Sequence, residues 1–151
     1  MTLMTAPVLE TQTPEVVPSR AAMRAVSWIR VSVLLTVINA VLVFFGTSIN
    51  FIFGMTWSYP LEDLAYQAGN AWGGLLIGVL LALPMLWIAN RARTQPRLML
   101  IIAAAVYLLG AVISVVSYGD FIGMAGQLVI FVLAVLGAKN HLASVSQVEE
   151  V

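Results

Sequence analysis

The chain has 151 residues, 61% hydrophobic and 9% charged, with seven basic and seven acidic side chains and no cysteine. Soluble domains carry roughly a quarter charged residues, so this composition belongs to a chain whose surface faces lipid. A formal net charge of zero gives no basis for nucleic-acid binding. The absence of Cys excludes disulfides, thiol redox chemistry and thiolate metal sites.

Four uncharged runs, 31–61, 64–90, 98–119 and 121–138, are each long enough to cross a hydrocarbon core, the last only just. Residues 1–23 precede them and read as a disordered cytoplasmic tail, with Glu10, Glu15, three prolines and several threonines but no basic start or apolar core of signal-peptide length. The membrane domain is expected at 24–139, beginning with a basic amphipathic turn that places Trp28 among the headgroups. The first spanning helix is expected at about 31–53. The loop 54–70 contains Leu61, Leu64, Ala65 and Ala68 at helical spacing, with Ser58 and Pro60 before them and Gly69 after them. It predicts a short helix over 60–68, lying on the outer interface.

The second spanning helix is expected at about 71–90, with Gly74, Gly78 and Ala82 at four-residue steps and Pro84 in its inner half. Small residues at that spacing let helix backbones approach closely, which matters where lipid supplies no hydrophobic contrast. The third, about 98–118, repeats the device with Ala103, Gly110 and Ser114; the fourth, about 121–138, is expected to lie antiparallel to it because only Gly119 and Asp120 connect them. Residues 140–151 read as a second cytoplasmic tail, with His141 solvated in it.

Arg20, Arg24 and Arg30 precede the first run, Arg91, Arg93 and Arg97 separate the second from the third, and Lys139 follows the fourth. Glu62, Asp63 and Asp120 occupy the other two gaps. Because short cytoplasmic loops are enriched in Lys and Arg, the expected fold is an all-α membrane protein, an up-down bundle of four transmembrane helices with both termini in the cytoplasm.

Candidate functional residues are few. The sequence places no ionisable group at bilayer depth, and Arg30 reads as an interfacial arginine that snorkels. No cofactor, metal centre or acid–base pair is expected, and the chain does not read as an enzyme. Arg91, Arg93 and Arg97 determine topology and are candidates to contact anionic lipid. Helix rise places Asn39 and Tyr107 at similar depth, together with the Leu80 carbonyl that Pro84 leaves without a donor. This is a candidate layer for a lipid or ligand, or a hydrogen bond fixing helix register.

Gly73, Gly74 and Gly78, the Arg-rich inner turn, and Gly110 followed by Ser114, Ser117 and Gly119 resemble the DoxX-like group of small four-helix bacterial membrane proteins. The resemblance covers roughly residues 70–120 and implies the four-helix fold and a bacterial cytoplasmic (inner) membrane. Arginines often found in that group before the double glycine and after the helix-three glycine are replaced here by Asn70 or Trp72 and by Ala111. The expected role is that of a non-enzymatic accessory or assembly subunit of a larger membrane complex, with a membrane-protein partner or a second copy bound. The alternative is a small carrier or binder of an apolar molecule such as a lipid or quinone.

Overall fold

The computed structural model describes residues 18–46, 54 and 59–149, without the side chains of 59 and 142–149. Within these residues the chain is helical throughout: α1 (Arg20–Phe44), α2 (Tyr59–Gln67), α3 (Ala71–Arg91), α4 (Pro96–Tyr118) and α5 (Phe121–Glu149). Among the described residues four segments are long and apolar enough to cross a membrane, namely α1, α3, α4 and the part of α5 from Phe121 to His141.

The spanning helices α3 and α4 fall close to their expected limits, and α2 is one residue displaced from its expected range. At α1 the difference is large. The helix begins at Arg20, where the Ser19 hydroxyl accepts the Ala22 N–H at 3.2 Å, and ends at Phe44. Gly46 then adopts φ +75°, a left-handed conformation that glycine enters without the Cβ penalty and that closes helices. The remainder of the expected helix, 47–53, lies outside the described residues. The early start has a physical reason: Arg20 and Arg24 are exposed, while Ala22, Ala25, Val26 and Ile29 on the opposite face are fully buried. Charge therefore marks one side of the first turns of α1, not a boundary before the helix.

The same correction applies at the other end of the chain. Beyond Ala138, α5 continues without a break through the expected tail to Glu149. His141 is not solvated; it is buried, on the stripe that also carries Ile130, Ala134, Gly137 and Ala138. The first turns of α1 meet the inner part of α5. A Cβ on Gly137 would lie 3.1 Å from the Ala25 Cβ, 3.2 Å from the Ala22 Cα and 3.0 Å from the Leu100 Cδ1, so α1, α4 and α5 converge here at close range.

Helix α1 packs on α3 along one side and on α5 along the other, and α4 and α5 form the most extensive pair. Contact between α3 and α4 is slight, so the bundle is thinnest along that side. Ile29, Val33, Met85, Leu100, Tyr107 and Ile130 fill the common core. The short link from α4 to α5 turns through Gly119 at φ +62°, after which the Asp120 carboxylate accepts the Gly123 N–H at 2.8 Å and caps α5. Outside the core, Trp72, Leu76, Leu80, Leu83 and Trp87 form an exposed apolar stripe along α3.

Candidate functional site

Helix α2 has an apolar side and a polar side, and their placement reverses what a water-facing surface would require. Leu61 and Leu64 point outward and are half exposed or more, while Glu62, 5% exposed, is turned into the protein. In lipid this is the favourable arrangement, because the apolar side can meet hydrocarbon and the polar side must find protein. Glu62 and Tyr66, one helical turn apart, straddle the glycines of α3. A Cβ on Gly74 would lie 2.5 Å from the Tyr66 ring, and one on Gly78 would lie 3.0 Å from the Glu62 Cδ and 2.9 Å from the Ala40 Cβ of α1. The absent glycine side chains thus leave the space that α2 and α1 occupy.

Gly78 lies seven residues inside the start of α3, which at about 1.5 Å per residue is roughly 10 Å along the helix. The Glu62 carboxyl is accordingly buried beside a candidate spanning helix, about two turns from its start. The sequence reading placed Glu62 in a gap between runs; the structure seats it against α3. Its neighbour Tyr66, on α2 and outside the spanning helices, has its pKa raised first by burial and second by the negative charge of Glu62.

Other buried polar residues lie toward the same end of the bundle. Asn39 is five residues before the end of α1, Ser114 four before the end of α4 and Gln127 six after the start of α5. Helix rise puts them roughly 8, 6 and 9 Å from those ends. Asn39 is 2% exposed and Ser114 and Gln127 are 0%. Two amides, a hydroxyl and a carboxyl from four different helices are therefore buried toward the α2 end of the bundle. The Gln127 Nε2 donates to the Gly54 carbonyl, which ties α5 to the connection between α1 and α2. Its Oε1 is buried with no hydrogen-bond partner among the described residues.

The expected pairing of Asn39 with Tyr107 is not what the fold brings together. Tyr107 is fully buried, but its hydroxyl faces Ser32, two turns of α1 away from Asn39. The reason is direction: a helical side chain leans toward the N-terminus of its own helix, and tyrosine carries its hydroxyl well down α4 before reaching α1. Ser32 is the polar neighbour of the Tyr107 hydroxyl, which forms no hydrogen bond of full geometry among the described residues. Between these two levels, the Thr36 hydroxyl donates to the Ser32 carbonyl at 2.8 Å. Ser32, Thr36 and Asn39 share one face of α1 and form a polar strip from its middle toward its end. Leu80, the third member of the expected layer, is 58% exposed, and Pro84 one turn later is exposed too, so that stretch of α3 faces away from the polar interior.

The remaining sequence candidates are placed as follows. Gly74, Gly78 and Ala82 are buried on α3, and Gly110 and Ser114 on α4. Arg91, Arg93 and Arg97 are exposed around the turn between α3 and α4. Near that end the Arg30 guanidinium donates to the Asn90 Oδ1 at 2.6 Å, a protein contact in place of free snorkelling. At the opposite end the Tyr118 hydroxyl donates to the Asp63 carboxylate at 2.9 Å, fastening α2 to α4. Among the described residues no group of three His, Cys, Asp or Glu side chains is arranged to hold a metal ion.

The chemistry these buried groups offer is hydrogen bonding away from water. Sequence reasoning missed Glu62 and Gln127 as members. The signal for Glu62 was its position opposite Leu61 and Leu64, which the interfacial reading assigned to water. Comparison with protein-family models, curated proteins and solved structures yields no match.

Proposed function

We propose that this chain is a small integral membrane protein that binds an amphipathic molecule of the lipid or quinone class, with the polar head of that molecule at the level of Asn39, Glu62, Ser114 and Gln127. One observation carries the reading. Four polar side chains from α1, α2, α4 and α5 are buried toward the α2 end of the bundle, and one acceptor atom of Gln127 has no hydrogen-bond partner among the described residues. Fixing helix register takes a single interhelical hydrogen bond worth about 0.6–2 kcal/mol. A buried carboxyl group goes beyond that need, since ionisable groups inside membranes are costly and mark functional sites. The thin contact between α3 and α4 offers a lateral way in from the bilayer.

The distribution of Lys and Arg supports an up-down arrangement with both termini and the turn between α3 and α4 on the cytoplasmic side, and α2 outside. A bacterial cytoplasmic membrane and kinship with the DoxX-like group remain part of this proposal through residues 70–120. No catalytic role is proposed.

Extraction of the purified protein with organic solvent, followed by mass spectrometry, tests the binding role. The expected result is a stoichiometric amphipathic molecule in the parent that is depleted in Gln127→Leu and Asn39→Leu at retained helicity. Full retention by both folded variants would overturn it. A second reading, an accessory subunit of a larger complex, draws on the exposed stripe from Trp72 to Trp87 on α3. A stoichiometric protein partner released by Leu76→Ala and Leu83→Ala would favour it.

A further inference from the structure

Away from the polar interior, two hollows on the outer surface of α4 and α5 share Arg97 and Ile101. The first, of about 640 Å³, is walled by Thr94, Gln95, Pro96 and His141 near the turn between α3 and α4. The second, of about 470 Å³, runs along Ala104, Ala105 and Leu108 of α4 and Phe131 and Val135 of α5, with Lys139 at its mouth. Together they make a groove that is polar and cationic at one end and wholly apolar beyond it.

We propose that this groove is a binding site for one anionic phospholipid of the surrounding bilayer, its phosphate between Arg97 and Lys139 and an acyl chain along the alanine-lined trough. Three observations support this occupant. Arg97 and Lys139 are both exposed and neither has an ion pair or hydrogen bond among the described residues, so two positive charges stand unneutralised where a headgroup phosphate would lie. The trough from Arg97 to Leu108 is eleven residues long, about 16 Å of helix, which matches one leaflet of a hydrocarbon core about 30 Å thick. Its floor is Ala104, Ala105 and Ala138, so a concavity separates the larger side chains where a chain can lie.

The site does not depend on the interior ligand proposed above, and Arg91 and Arg93 take no part in its walls. A cation near a membrane surface favours anionic lipid by roughly fivefold, the equivalent of about 1 kcal/mol, so two such contacts give a preference of about 25-fold. Thr94, Gln95 and the buried His141 close the headgroup end of the groove.

The test is native mass spectrometry of the full chain in detergent, titrated in parallel with phosphatidylglycerol and phosphatidylcholine of identical acyl chains. The expected result is one phosphatidylglycerol retained at least tenfold better than phosphatidylcholine. The preference should fall to within about twofold of unity in Arg97→Gln/Lys139→Gln and stay unchanged in Arg91→Gln/Arg93→Gln. Ala105→Phe, which fills the trough from an exposed position, should weaken retention of both lipids. Equal retention of the two lipids by the parent overturns the proposal, as does a preference that survives Arg97→Gln/Lys139→Gln or vanishes in Arg91→Gln/Arg93→Gln. Arg97→Lys/Lys139→Arg keeps both charges and should keep the preference; its loss there would also count against the site. Binding of a protein segment in place of lipid would appear as a retained polypeptide and would equally refute it.

Discussion

Glu62 and Gly78 meet where α2 folds onto α3, with the carboxyl carbon of one 3.0 Å from where a Cβ of the other would be. The Ala40 Cβ closes the same space from α1 at 2.9 Å. A methyl group there cannot be accommodated by rotating a flexible side chain alone, because Ala40 moves only with its helix.

Gly78→Ala should accordingly destabilise the protein by about 1–3 kcal/mol, the cost of overpacking a tight core, and Gly78→Leu by more. Leu80→Val, on the exposed side of the same helix, should change stability little. Thermal or urea unfolding in a fixed detergent measures the difference. Equal stability of Gly78→Ala and the parent would mean that α2 and α1 do not seat against α3 in this way.

At Glu62 itself, shape and polarity can be separated. Glu62→Gln keeps both, and its stability should stay within about 1 kcal/mol of the parent. Glu62→Ala removes the carboxyl group from a buried level that also holds polar atoms, and should cost about 1–3 kcal/mol. If Glu62→Ala unfolds with the parent, the carboxyl group is solvated and the polar layer is incomplete.

Tyr66 gives a dependence on pH whose sign is fixed by the direction of its shift. Its folded pKa lies above the usual tyrosine value of 10.0, because burial and the Glu62 charge disfavour phenolate. The stabilisation from the neutral phenol is therefore fully present below pH 10 and is lost as pH rises through the raised folded value. Between pH 9 and 11.5 the parent should lose more thermal stability than Tyr66→Phe. Identical alkaline profiles would remove Tyr66 from the α2–α3 contact.

Sidedness is checked by single cysteines in this naturally cysteine-free chain. Cysteines at Ser19 and Thr94 should be protected from an impermeant maleimide in intact cells, and one at the exposed Gln67 should react. Labelling of Thr94 from outside would reverse the orientation.

The membrane class was legible because it depends on composition and run length, both of which survive any error in local geometry. Helices α3 and α4 were read closely because the uncharged runs 64–90 and 98–119 end near their limits; in the structure Asn70 caps α3 by accepting the Gly73 N–H at 2.8 Å, and Pro96 opens α4. The first turns of α1 and the end of α5 were not, because charge was used as a boundary where it only marks a face. The interior site was half visible. Asn39 stood out as a polar residue in an apolar run, but its depth partner came from α2, and a polar side chain on a short helix reads the same whether water or protein receives it. Tyr107 lay in the core as its helix placement suggests, yet its hydroxyl belongs to the level of Ser32. Depth counted from Cα positions misplaces a long side chain by its own length and lean.

The close approach of Ala22 and Ala25 to Gly137 joins α1 to α5, and this bears on how the bundle closes. In the folded chain Ser32, Thr36 and Asn39 of α1 are buried, and α5 supplies part of the surface that covers α1. Without that cover the polar strip of α1 would face surroundings in which unsatisfied polar groups are costly. A chain cut short before Phe121 would lack Gln127 and Gly137 together, and with them the packing of α5 on α1 and α4. The seating of α1 thus depends on the helix farthest from it in sequence.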